Sequence, residues 1–412
     1  MRKKAMMIPL FLALTASFLL LASSLDRDPV KAEKVEILVG THLPLTGLLA
    51  SAGLEQRWAY ETAVADINAA GGIPVAEYGR RLPVRLVAID DETEPAKAAA
   101  AVETLVTEKG VDLILGGNTS PFGVIPGGVT AEKHQKYYHA TACFIPPWLE
   151  HDFKWSTLLF FDMAQTASVP FQIWNMLPEE ERPRRAALFM EDTYDGRAFG
   201  KAIRERAAAF GYGFILEASL APGAADFSPQ IERAGKLGVD AILIFASVTD
   251  CVLFVRNLAA SGLSVRYLHG WKGTWPMAFG KALGSGADHI FSDGFWSKDY
   301  PFPGAGKLGE RYRSRFGRDS VSVGAFYAAA QILWEAVERA GSLDPGRVRQ
   351  AVLENTFDTV AGRISYDRRG VGVFIAPAFQ WMGEDQKMVY PFEMTDYVPR
   401  LAPPPKMAEV PW

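Results

Sequence analysis

Three clusters in this chain have residue types and spacings that chemistry could use. Asp90-Asp91 follows an apolar run and could form a carboxylate dyad for acid–base work. The simpler reading has the two acids capping the next helix and accepting from loop amides. Gly304-Ala305-Gly306-Lys307-Leu308-Gly309 matches the dinucleotide fingerprint G-x-G-x-x-G. It follows Tyr300-Pro301-Phe302-Pro303 rather than a strand, so the context that aims a helix at a pyrophosphate is missing. A surface loop is expected there instead. Gly116-Gly117-Asn118-Thr119-Ser120-Pro121 is the third cluster, and Ser followed by Pro suits the N-cap and first position of a helix. The six histidines show no paired metal-ligand spacing, and neither a G-x-S-x-G elbow nor a P-loop occurs. No catalysis, metal or cofactor is expected.

These clusters fall at the ends of apolar runs. Val35–Val39 has the length of a buried strand. A loop with Pro44 and Gly47 follows, then a helix with Ala59, Ala63 and Ile67 on one face, stopped by Asn68 and Gly71-Gly72. Val84–Ile89 is a second strand, ending at Asp90-Asp91, and completes a βαβ unit. Glu94-Pro95 starts a helix to about Lys109. Asp112–Leu115 is a third strand, ending in the Gly116–Pro121 loop. The helix that Ser120-Pro121 starts should be disturbed by Pro126 and Gly127-Gly128. Tyr137–Cys143 holds a further short strand.

The pattern then restarts, with strands at Ala186–Met190, Phe214–Ala218, Asp240–Ala246 and Val265–His269. The last ends in Gly270-Trp271-Lys272-Gly273. Helices at Val323–Ala340 and Leu343–Glu354 follow, then a strand and turn over 378–392. Two successive βα series imply two α/β lobes. A ligand would lie between them, at the carboxyl ends of the strands.

Composition limits the partners. Of 412 residues, 43 are basic and 47 acidic, and charged residues make up 22% of the chain, an ordinary globular fraction. Arg2, Lys3 and Lys4 precede an uncharged apolar stretch, Met6–Leu21, and Val30-Lys31-Ala32 offers a cleavage site. Residues 1–32 are therefore expected to be a signal peptide, giving an exported, periplasmic protein. Its removal takes away five basic and two acidic residues and moves the net charge from -4 to -7. That argues against nucleic acid or an anionic membrane as partner. Cys143 and Cys251 are too few for a disulfide framework and are expected free and buried. Residues 399–412 form a Pro-rich tail.

Taken together, four segments in this order resemble the leucine/isoleucine/valine-binding protein family, the type I periplasmic solute receptors of ABC importers. They are Pro44–Gly47 with Ile67–Ile73; Asp90-Asp91 with Pro95-Ala96-Lys97 and Gly116-Gly117; Phe357–Gly362 with Tyr366-Asp367 and Gly370; and Gln380-Trp381 with Tyr390-Pro391. The resemblance implies an α/β chain of two Rossmann-like lobes joined by a three-strand hinge. It places lobe one at 33–160 and 290–362, and lobe two at 161–289 and 363–398. It implies a monomer that hands a small ligand to membrane permease subunits.

The family's ligand contacts carry over unevenly. Its carboxylate-binding serine matches Ser120, with Asn118 and Thr119 beside it; a helix N-terminus suits an anion. Two further contacts match Thr141 and Cys143, flanking Ala142, although a thiol is a poor donor. A second-lobe aromatic falls on Asp195, beside Tyr194. The family's acid, which pairs with a ligand ammonium, falls on Lys272, beside Trp271. A first-loop aromatic falls on Ala52. On the reading that Lys272 meets the ligand, the expected ligand is a carboxylate without a free α-amine, aromatic or dicarboxylic. The alternatives are a branched-chain amino-acid or amide receptor using Asp195, and a sensor module.

Overall fold

The computed structural model describes residues 34–383 and 385–401, so the expected signal peptide at 1–32 and residues 402–412 of the Pro-rich tail lie outside the described residues. Strand β1 (Ile37–Leu43) is buried at six of its seven positions, and its apolar run continues past Gly40. The short strands β2 (Ile73–Val75) and β3 (Arg80–Leu82) form a hairpin. Then come β4 (Val84–Asp90), β5 (Leu113–Leu115), β6 (Tyr138–Thr141) and β7 (Ser156–Phe161). A second series holds β8 (Ala186–Glu191), β9 (Phe214–Leu220), β10 (Ala241–Ala246), β11 (Tyr267–Lys272) and β12 (Phe291–Asp293). The chain ends with β13 (Thr356–Thr359) paired to β14 (Gly362–Ser365), then β15 (Val371–Phe374), β16 (Ala378–Met382) and β17 (Asp385–Tyr390).

These strands build two main sheets. The first is parallel throughout, in the order β15-β7-β6-β5-β1-β4. The second has the order β17-β16-β12-β11-β10-β8-β9, parallel from β12 to β9, with β16 and β17 antiparallel at one edge. Each is the open, twisted sheet of a Rossmann-like lobe, with crossover helices on its faces. In each, strand order reverses once, beside β1 and beside β8, each one strand in from an edge. Loops at that reversal diverge to opposite faces and leave a crevice at the carboxyl edge.

The chain passes between the sheets three times: after β7, after β12 and after β15. The last passage lies between Phe374 and Ala378, beyond the expected position near 363. The reason is β15, which pairs with β7 in the first sheet from Val371↔Leu158 to Phe374↔Phe161.

Three local expectations are revised. The chain stays helical through Pro126 and Gly127-Gly128 as Ile125–Lys133. Pro126 follows directly on the π-wound turn Ser120–Val124, where the regular α-helical ladder is already interrupted. Gly127 is there because a Cβ would lie 2.4 Å from the His42 ring. The G-x-G-x-x-G stretch opens the helix Ala305–Phe316 rather than forming a surface loop, with Gly304 at φ 89° before it. Ser120 is not an N-cap: the helical path, π-wound over Ser120–Val124, begins at Ser120 itself. The two cysteines are free and buried, as expected.

Candidate functional site

A cavity of about 350 Å³ lies between the lobes. Its lining comes from the carboxyl ends of strands in both sheets: residues after β1, β5 and β6 on one side, and after β8, β10, β11 and β12 on the other. A larger, open groove of about 600 Å³ lies away from the strand ends, beside the helices Ala50–Ala69 and Val323–Ala340. Its Asp66 is already bound to Arg311 and Tyr327, and its Glu335 to Arg339.

The first-lobe wall is held by Gln56, buried on the helix Ala50–Ala69. Its Nε2 lies 3.1 Å from Gly116 O, 3.0 Å from Gly117 O, 2.9 Å from Tyr60 Oη and 3.1 Å from Thr141 Oγ1. Its Oε1 accepts from Asn118 Nδ2 at 2.9 Å. Asn118 Oδ1 in turn accepts from the Thr119 hydroxyl. One amide thereby fixes the backbone and first side chain of the loop. Behind it, His42 bridges Asp91 (3.0 Å) and Tyr138 (2.8 Å), and the Tyr138 hydroxyl accepts from the Gly117 N–H. Asp90 accepts from the Leu45 and Thr46 amides and the Thr46 hydroxyl. The acid pair therefore serves loop geometry.

Ser120 Oγ accepts from the Phe144 N–H at 2.9 Å, and the Ser120 hydroxyl also hydrogen-bonds the buried Cys143 thiol. Phe144 then stacks on Phe199 of the second lobe, with ring centroids 5.9 Å apart. Aromatic rings dominate the rest of the lining: Phe122, Phe144, Phe160, Phe161, Phe199, Phe245, Trp275 and Phe295. The indole of Trp275 lies 5.1 Å from the Phe295 ring. Thr119, Ala142 and Lys272 line the cavity with positive φ, at 66°, 53° and 63°. Each such residue costs about 1–3 kcal/mol, and non-glycine residues in this conformation concentrate at ligand clamps.

The second-lobe wall carries the ionisable groups. Lys272 ends β11 and pairs with Glu191, which ends β8 and is 2% exposed. The Lys272 ammonium also lies 5.5 Å from the centroid of the Phe245 ring. Asp195, in the first turn of the helix Tyr194–Ala209, is buried. Burial raises its carboxyl to about 6, helped by Glu191 and opposed by Lys272. Asp293, at the end of β12, is pushed by burial up to about 8, against the pull of its own backbone N–H and that of Lys272.

Of the residues expected at the site, Asn118, Thr119, Ser120, Ala142, Asp195 and Lys272 line the cavity, as does Ala52. Four do not. Thr141 is buried against Gln56 and Tyr60. Cys143 is buried with its thiol donating to Phe144 O. Trp271 is fully buried and stacks on His269, because β11 runs on through Lys272 and successive side chains of a strand face opposite ways. Tyr194 is exposed outside the cavity and donates to Glu150 of the first lobe at 2.6 Å. The notion of Lys272 as a free cation for a second acid is also corrected, since Glu191 matches its charge. Asp293 and Glu191 were missed. The three-residue strand ending at Asp293 has no periodic signal, and Glu191 is 81 residues from its partner.

The profile of a family described as periplasmic binding protein matches residues 36–380. Leu/Ile/Val-binding protein homolog 2 of Brucella abortus is 24% identical over 359 residues, 86% of this chain and 93% of the relative. The leucine-, isoleucine-, valine-, threonine-, and alanine-binding protein of Pseudomonas aeruginosa is 23% identical over 330 residues, 79% of this chain and 84% of the relative. A leucine binding protein of Thermotoga maritima superposes with a TM-score of 0.75 at 18% identity, covering 87% of this chain and 99% of that one. A branched-chain amino acid transporter substrate binding protein of Streptococcus pneumoniae, solved with isoleucine, gives 0.73 at 20% identity, covering 86% and 100%.

Proposed function

Because the chain belongs to the periplasmic binding protein family, we propose that it is the ligand-capturing receptor of an ABC importer. It acts outside the cytoplasm, as a monomer, and passes its ligand to membrane permease subunits. The ligand is a small carboxylate with a bulky apolar or ring-bearing body. Its carboxylate meets the Ser120 hydroxyl at the start of the Ser120–Lys133 helical path, where the N-terminal dipole favours an anion. Its body lies among the rings, which suit flat or branched apolar groups. Closure of the second lobe is stabilised by contacts that both lobes make with the ligand.

The observation that carries this reading is the interlobe cavity, which sets the Ser120 hydroxyl beside an aromatic lining. Its volume lies at the small end of the usual ligand range, roughly 300–1,000 Å³. An amine-free acid was the first expectation, but its argument needed an unpaired Lys272. Relatives whose names specify branched-chain amino acids favour the amino-acid reading instead. A thermal-shift panel of branched-chain and aromatic amino acids, aromatic acids and dicarboxylic acids tests the proposal. One class is expected to raise Tm by several degrees. A panel in which nothing moves Tm overturns it.

A further inference from the structure

Two segments meet across the lobes beside the cavity, and they touch at two points. In the first lobe the segment runs from Phe144 to Glu150 and holds the short helix Ile145–Leu149. In the second it is the opening of the helix Tyr194–Ala209. The inner contact is the stack of Phe144 on Phe199, both buried. The outer contact lies at the surface, where the Tyr194 hydroxyl donates to Glu150 Oε1 at 2.6 Å. It borders a groove of about 450 Å³ whose other described lining residues all belong to the first lobe. Ser120 lines both this groove and the cavity, so the outer contact stands just beyond the cavity wall.

The two contacts differ in kind. Burial of rings is favourable but non-directional, and a lobe can pivot about it. A hydrogen bond is directional. Tyr194 and Phe199 are five residues apart on one helix, a rise of about 7.5 Å. A directional contact at that distance from the ring stack fixes the angle of the helix against the first lobe. Asp195 and Phe199, which line the cavity, move with that helix. Both contacts are made by protein atoms alone, so they act whatever the cavity holds. Tyrosine suits the outer one, since it has few torsions to order. Its bond to Glu150 raises the hydroxyl to about 12, which keeps it a donor at physiological pH.

We infer that Tyr194 is a positioning residue of the receptor: with Glu150 it clasps the two lobes at the outer edge of the cavity, sets their closed angle, and raises the closed population regardless of ligand chemistry. This rests on the two-lobe capture reading and adds a contribution to closure that comes from the chain itself. An exposed hydrogen bond matters little to global stability. Against a balanced open–closed equilibrium it shifts the populations by about three- to tenfold.

The test measures lobe separation in the full chain with no ligand added. Lys133→Cys and Lys201→Cys place one spin label on each lobe, at side chains 70% and 76% exposed. Cys143 and Cys251 are buried and stay unlabelled. Double electron–electron resonance then gives the fractions of short and long separations. Tyr194→Phe is expected to raise the long-to-short ratio about three- to tenfold and to leave the unfolding midpoint in place. Glu150→Leu is expected to match it, whereas Glu150→Gln, whose amide oxygen still accepts, is expected to keep the ratio of the unsubstituted pair. The double variant Tyr194→Phe/Glu150→Leu is expected to be no more open than either single one. An unchanged ratio in Tyr194→Phe, or a double variant that opens by the two single effects combined, overturns the inference. No ligand enters this measurement, so that result leaves the receptor reading intact, and the thermal-shift panel tests that reading separately.

Discussion

The first-lobe wall of the cavity carries no charged side chain, whereas the second-lobe wall carries Asp195, Lys272 and Asp293. The first wall is a finished frame. Gln56, Asn118, Thr119 and Tyr138 are bonded to one another or to the loop they hold, and Ser120 accepts from the Phe144 N–H. The second wall is unfinished: one ion pair is complete, and two acids each keep one carboxyl oxygen without a partner. The contrast separates rigidity from recognition. A pre-organised frame lowers the ordering cost of binding, while unmet acceptors supply discrimination.

The largest effect that would test this division concerns Asp293. Its folded pKa, about 8, lies above the ordinary 3.8, so the folded chain holds a proton that the unfolded chain loses near pH 4. That contribution is complete below the unfolded value and is lost as pH rises through about 8. At roughly 1.4 kcal/mol per unit it amounts to at most about 6 kcal/mol. Denaturant unfolding of the ligand-free chain should therefore show stability falling between pH 4 and 8, and Asp293→Asn should flatten the fall. An unchanged slope in the variant would remove Asp293 from the unfinished wall.

Next comes Lys272→Met, which strands the buried Glu191 charge. Because Lys272 is 29% exposed, the loss should reach only the lower end of the range for broken buried pairs, about 3 kcal/mol by denaturant unfolding. A loss under about 1 kcal/mol would mean that solvent already screens the pair. On the opposite wall, Gln56→Ala removes the clamp on Gly116, Gly117 and Asn118. It should lower stability by about 2 kcal/mol and also weaken binding, because the loop loses its fixed backbone. Full affinity in that variant would show that the frame is not needed. The smallest change in stability is expected from Ser120→Ala, about 1 kcal/mol. Its signature is a drop of roughly tenfold in affinity for a carboxylate ligand, with little change for the matching amide.

Much of the frame was legible from residue order alone. The runs in β1, β5, β8 and β10 are apolar enough to mark buried parallel strands, and the Gly116–Pro121 loop announced itself by composition. The unfinished wall was not. Trp271 and Lys272 are adjacent, and only knowing that β11 continues through both shows that one must face inward and the other the cavity. Ala142 is separated from Thr141 and Cys143 by the left-handed turn the chain takes just past the end of β6, with Ala142 at φ 53°. Asp293 reaches the cavity through parallel pairing of β12 with β11, a long-range contact with no local pattern. Pairing of Lys272 with Glu191 likewise depends on strand adjacency across β8, β10 and β11, which the order of residues does not state.

Trp275 turns the pocket into its own optical gauge. Of the ten indoles in the chain, it is the one among the described residues that borders the space a guest would fill. Emission from that ring should change in wavelength or yield as solvent leaves its neighbourhood, without any attached dye. Replacing Trp275 with phenylalanine would silence the signal and leave an aromatic floor in place, so occupancy is measurable by fluorescence even before the guest has been identified.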